Sequence, residues 1–161
     1  LAAVVAAAFA ALTLLLPGPS YGYAQLRVGG AFTVLPFLFP ATAPGLVVGC
    51  LISNIISPYG LPDLICGTAA TALAALLTMK APNRWLAPLP PVVCNGVIVG
   101  ALLAWYGVGF GPGFWPMFAV TGLGVAAGEL VACYVLGGLL LTALPKVPYF
   151  RQLISPRRLT S

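Results

Sequence analysis

The sequence predicts an all-α membrane protein, a six-helix transmembrane bundle in one domain over residues 1–161. Three observations predict it. The chain is 61% hydrophobic and 6% charged, where soluble domains carry about 25% charged residues. The apolar residues come in long runs cut by Pro- and Gly-rich breaks. Of the nine formal charges, seven Lys and Arg against two acids, the basic ones all lie between or beyond the runs. With mean hydropathy at +1.07, the net charge of +5 reads as a topology signal rather than a nucleic-acid footprint, because cytoplasmic loops are enriched in Lys and Arg.

Leu1 to Leu16 is the first helix. No basic n-region precedes it as in a signal peptide, and no Met opens it, so the span is expected to extend upstream. Its alanines form two faces, Ala2–Ala6–Ala10 and Ala3–Ala7–Ala11, and small residues four apart let another helix approach closely in lipid. Pro17 to Gly30 is a polar break carrying Tyr21, Tyr23, Gln25 and Arg27, residues able to cap a cavity or to sit in an interfacial belt. Residues 31–56 read either as one proline-kinked span or as two short helices, with Asn54 near the end. Ser57 to Asp63 reads as a turn and Leu64 to Met79 as a span. Lys80 to Pro91 is a basic loop, Val92 to Val108 a span, Gly107 to Gly113 a turn, and Pro145 onward a basic tail. Six elements place both termini on the cytoplasmic side; five spans with the N-terminus outside also satisfy the Lys/Arg bias.

The last run, Phe114 to Leu144, is the centre of the reading. As a helix it is about 46 Å long, more than the roughly 30 Å hydrocarbon core. Near its middle stands Glu129. A carboxylate there costs at least about 2.5 kcal/mol to place in lipid, so it faces the bundle interior or a water-filled cavity. It holds either a ligand or ion, or a neighbouring helix. Glu129 lies roughly 22 Å below the outer start of its helix, and Asn95 roughly 20 Å below the outer surface on the preceding antiparallel span. The two can meet at the floor of an outward-facing cavity, with Arg27 and Asp63 at its outer rim. Trp105, Tyr106 and Trp115 can stack on a flat ligand or anchor the outer interface.

Several chemistries are excluded. The chain has no His, and so lacks the usual general base and the commonest metal ligand. Its four cysteines form no CxxC, which argues against a zinc or dithiol centre and for small buried hydrophobes. No GxxxxGK[ST] loop is present, so ATP hydrolysis, where transport needs it, falls to other chains. No enzyme, cofactor or metal is expected.

The segments AAAFAALTLLL, QLRVGGAFTVLPFLFPATAPGLVVGCLISNI, GLPDLICGTAATALAALLT, NRWLAPLPPVVCNGVIVGALLAWY and GELVACYVLG cover most of the chain in order. They resemble the QueT-type queuosine-precursor transporters, substrate-binding S components of energy-coupling-factor (ECF) transporters. The resemblance implies a six-helix S component that captures its substrate outside and topples when docked on a transmembrane coupling subunit driven by two ATPase subunits. It implies docking through one of the two alanine faces and closure of the first loop, Tyr21 to Arg27, over the substrate. One departure stands out: where the pattern RxSEA places an acid, this chain has Gly30. A deazaguanine presents amide and amino donors, and a carboxylate accepts such donors in bidentate fashion. Glu129 is assigned that role, with Asn95 on the same edge, Gln25, Arg27 and Tyr23 above, and Asn54 as a weaker candidate. Asp63 or Glu129 would take the ammonium of an aminomethyl precursor. The alternatives are an S component for another vitamin-like molecule, an independent carrier or channel, and a purely structural membrane subunit.

Overall fold

A computed structural model describes residues 1–16, 18, 20 and 27–159. Among them every regular element is helical. Helix α1 spans Ala2–Leu15. A 3₁₀ segment follows over Val28–Phe37, then a single 3₁₀ turn over Pro40–Thr42. Helix α2 is Ala43–Ile55 and α3 is Gly60–Met79. Helix α4 is Leu89–Val108 and α5 is Phe114–Lys146. Two single turns end the chain, α6 at Pro148–Arg151 and α7 at Pro156–Leu159.

Three helices, α3, α4 and α5, are long and apolar enough to cross a membrane; α1, the 3₁₀ segment and the Pro40–Ile55 stretch are shorter apolar elements. Among the described residues, three of the six apolar elements therefore have full spanning length. Residues 31–56 resolve into two elements rather than one kinked span. Pro36 and Pro40 explain the break, since each lacks an N–H and disfavours α geometry in the residue before it.

The 3₁₀ segment is the axis of the bundle. It is apolar on all sides, as a fully buried helix must be, and Ala31, Val34, Leu35 and Phe37 are all buried. Leu35 packs with Val5, Phe9, Leu46 and Cys50 of α1 and α2. Val34 and Phe37 pack with Cys133 and Leu141 of α5. Large apolar side chains on the outer faces, Leu73, Val97, Leu123 and Leu139 among them, are exposed, as surfaces that meet lipid are.

The two alanine faces of α1 part company here. Ala6 and Ala10 are buried and Ala2 half-buried, whereas Ala3, Ala7 and Ala11 are exposed. The buried face meets glycines of α2. A Cβ on Gly49 would lie 2.7 Å from the Ala6 carbonyl oxygen, and one on Gly45 would collide with the Ala2 carbonyl. Small residues on both sides thus bring the α1 and α2 backbones into contact, the close approach that drives association in lipid.

Helix α3 begins earlier than the sequence suggests. Gly60 adopts φ +65°, a left-handed conformation that glycine takes without steric cost. The chain turns there, and Asp63 falls in the first helical turn rather than in the preceding loop. A carboxylate is favoured at a helix N-terminus by the macrodipole. The tail is also folded. Ile154 joins the cluster of Phe37, Phe39, Ala81 and Ala87, with Phe150 and Leu159 against it. The Arg158 guanidinium donates to the Ala81 carbonyl at 2.6 Å and to the Met79 carbonyl, capping α3, and lies 4.5 Å over the Phe37 ring.

Candidate functional site

Glu129 is 3% exposed on α5. Its Oε2 accepts a hydrogen bond from the Cys133 thiol at 3.3 Å, one turn along. Cys133 also approaches the Gly30 carbonyl at 3.5 Å and the Thr33 hydroxyl at 3.4 Å, and that hydroxyl donates to the same carbonyl at 2.6 Å. The carboxylate thus rests against the backbone of the central 3₁₀ segment. Gly30 makes this possible. A Cβ there would lie 2.9 Å from Oε2 and 3.4 Å from Oε1, so any side chain at this position displaces the acid. The residue that departs from the RxSEA pattern is the one that Glu129 packs on.

Asn95 is 4% exposed. Its neighbour Gly96 abuts Ala126 of α5, where an added Cβ would lie 3.0 Å from the alanine methyl, and Gly100 abuts Gly122. The helices run antiparallel in that register, so Asn95 and Glu129 lie within about one helical turn of each other in depth. The Cys133 thiol engages Glu129 at Oε2, not at Oε1.

Both residues sit at π-helical stretches. One runs from Asn95 to Val99, and the other from Val131 to Gly137, starting two residues after Glu129. Such bulges leave backbone and side chains out of α register and occur often at functional sites. No residue pattern in an apolar run announces them.

Arg27 and Asp63 are not rim residues. Arg27 is 3% exposed and Asp63 fully buried, and Arg27 Nη2 lies 3.6 Å from Asp63 Oδ2. The Ser57 hydroxyl donates to the same carboxylate oxygen at 2.5 Å, and Arg27 Nε donates to the Ser20 carbonyl at 3.3 Å. Asp63 therefore serves the arginine that ends the first loop. A buried charge requires such pairing.

Asn54 joins this cluster. Its Nδ2 donates to the Asp63 backbone carbonyl at 3.1 Å and to Cys50 Sγ at 3.4 Å, tying α2 to α3. Its Oδ1 and Asp63 Oδ1 are buried without a hydrogen-bond partner among the described residues. Ser57, Cys50 and Cys133 were not singled out in the sequence as polar partners. The only signal for Cys133 is its spacing of four from Glu129, which puts both on one helix face. Like Cys94, these cysteines are buried and free. Tyr23 and Gln25, with Tyr21, lie outside the described residues.

The aromatic candidates belong to the surface. Trp115 is 71% and Trp105 39% exposed. They join Phe110 and Phe114 in a ring cluster with centroids 5.4–6.3 Å apart. Tyr106 meets Tyr59 edge-on at 5.2 Å. This is the arrangement of an interfacial belt, where amphipathic rings sit at headgroup level, rather than of walls around a buried carboxylate.

What the arrangement offers chemically is a carboxylate and a carboxamide at one depth inside apolar helices, together with a buried Arg27–Asp63 pair. It suits binding of a small polar molecule with hydrogen-bond donors. No curated protein and no solved structure gives a match. The family model described as QueT transporter matches residues 1–146. With the apolar spans around a buried polar centre, that match places the chain in the QueT transporter family, the membrane proteins that transport a queuosine precursor.

Proposed function

We propose that the chain is the substrate-binding S component of an ECF transporter, capturing a deazaguanine-type queuosine precursor from outside, and that Glu129 accepts the donors of its Watson–Crick edge. The observation that carries the reading is the buried carboxylate itself. It costs too much in lipid to be kept without use, and its bond from the Cys133 thiol is made at Oε2. Asn95 at the same depth supplies a second polar group, complementary to a heterocycle's mixed donors and acceptors. Arg27 on Asp63 pins the inner end of the first loop. Gln25 and Tyr23 would contact the ligand from that loop. Substrate capture by the purified chain tests this directly. In a thermal-shift panel, deazaguanines are expected to raise the melting temperature, whereas thiamin, biotin and riboflavin leave it unchanged; the converse pattern rejects the substrate.

In this reading the chain sits in the plasma membrane with a cytoplasmic C-terminus. Exposed Lys80, Arg84, Lys146, Arg151 and Arg157 gather at one end, as the positive-inside bias requires. Partner subunits hydrolyse ATP. Their coupling subunit docks on Ala3–Ala7–Ala11, since Ala2–Ala6–Ala10 is taken up by α2. Ala7→Trp is expected to abolish ATP-driven uptake in the assembled transporter while precursor binding to the isolated chain stays as in the wild type. Uptake that survives would move the docking face elsewhere.

A further inference from the structure

The basic end of the bundle carries a groove that the transport reading does not use. It has a volume of ≈ 260 Å³ and lies between the 80–88 loop and the last turns of α5. Trp85, Tyr134, Val135 and Leu139 form its walls, and Arg84 stands at one end. Val135 and Leu139 are 55% and 62% exposed and Trp85 74%, so the groove opens on the face that meets lipid. At its Arg84 end it adjoins a smaller cleft of ≈ 80 Å³ that also includes Arg158. Arg158 is held there by the Met79 and Ala81 carbonyls. Arg84 and Arg158 thus both line the cleft that adjoins the apolar slot.

We propose that this groove binds an anionic phospholipid, an acyl chain lying along Tyr134 and Leu139 and the phosphate on Arg84. Charge complementarity selects the occupant. Basic pockets between spans at the cytoplasmic end hold anionic head groups, and Arg matches phosphate oxygens in a planar fork. A soluble anion would have no use for the apolar slot, and a zwitterionic lipid would gain less from the second arginine. Trp85 and Tyr134 stand where amphipathic rings meet the interface.

Gly138 gives a clean way to close the groove. It lines the slot, its φ is −60°, and a Cβ there meets nothing within 4 Å. Gly138→Leu therefore enters the slot from a Cβ position that is open, and Arg84, being exposed, tolerates Gln. The experiment is a melting series of the full chain in a neutral detergent with added phosphatidylglycerol, phosphatidylcholine or inorganic phosphate. Phosphatidylglycerol is expected to stabilise with an apparent affinity at least about fivefold above phosphatidylcholine, and inorganic phosphate to have no effect. Arg84→Gln should bring phosphatidylglycerol to the phosphatidylcholine level, and Gly138→Leu should remove stabilisation by both lipids. Equal effects of the two lipids on the wild type, a preference that survives Arg84→Gln, or lipid stabilisation unchanged in Gly138→Leu would each overturn the site. So would an equal loss in Lys146→Gln, which marks a diffuse basic surface. None of these readouts depends on the transported substrate.

Discussion

Glu129→Gln is expected to weaken deazaguanine binding by at least about tenfold, ~1.4 kcal/mol, in calorimetry of the purified chain. The substitution keeps the shape that fits against Gly30 and leaves Cys133 an acceptor. It removes only the charge. Hydrogen bonds to a carboxylate are roughly twice as strong as those to a neutral amide oxygen, and a Gln amide also presents donors toward donors of the ligand. The protein should therefore fold as before and lose affinity. Gly30→Ala provides an independent check, because its methyl must push the carboxylate aside: Cβ would lie 2.9 Å from Oε2. An intermediate loss is expected there. Wild-type affinity in Glu129→Gln would mean that the acid only joins helices and that the ligand sits elsewhere.

The second large effect is on stability. Asp63→Ala is expected to destabilise the protein by about 3–5 kcal/mol, the usual consequence of removing one partner from a buried ion pair. Arg27 would remain buried without its counter-ion, and Ser57 would lose its acceptor. Differential scanning calorimetry or a thermal melt in detergent measures it. Asp63→Asn preserves the shape and an acceptor for Ser57, and should fall between. If Asp63→Ala melts with the wild type, Arg27 is held by other groups and the first loop is not anchored through α3.

Much of this fold is legible in the residues. The apolar runs at α1, α3, α4 and α5 are each longer than a turn-rich break can hide, and Glu129 is conspicuous as the one charge near the middle of any of them. The depth match of Asn95 and Glu129 follows from a constant rise per residue along consecutive helices. The rest was not legible for definite reasons. The start of α3 depends on a positive φ at Gly60, and the Pro/Gly content of SPYGLPD reads as a turn throughout. Asp63 looks like an interfacial acid until Arg27, thirty-six positions away in sequence, is seen on it. Ala2–Ala6–Ala10 and Ala3–Ala7–Ala11 are equivalent as patterns. Only α2, with Gly45 and Gly49, distinguishes them.

By itself the sequence determined the solvent of this protein and the place of its acid. Hydropathy and charge position are local quantities, and a bilayer reads them one residue at a time. The tertiary structure alone decided what the acid touches. Residues 28–37 have no periodicity to announce their role, yet they run through the middle of the bundle and bring Gly30 against Glu129. The Arg27–Asp63 pair, the π-helical stretches at Asn95 and after Glu129, and the groove beside Arg84 arise in the same way. Each depends on which helix lies beside which, and close packing of side chains across the bundle settles that, not the composition of any one segment.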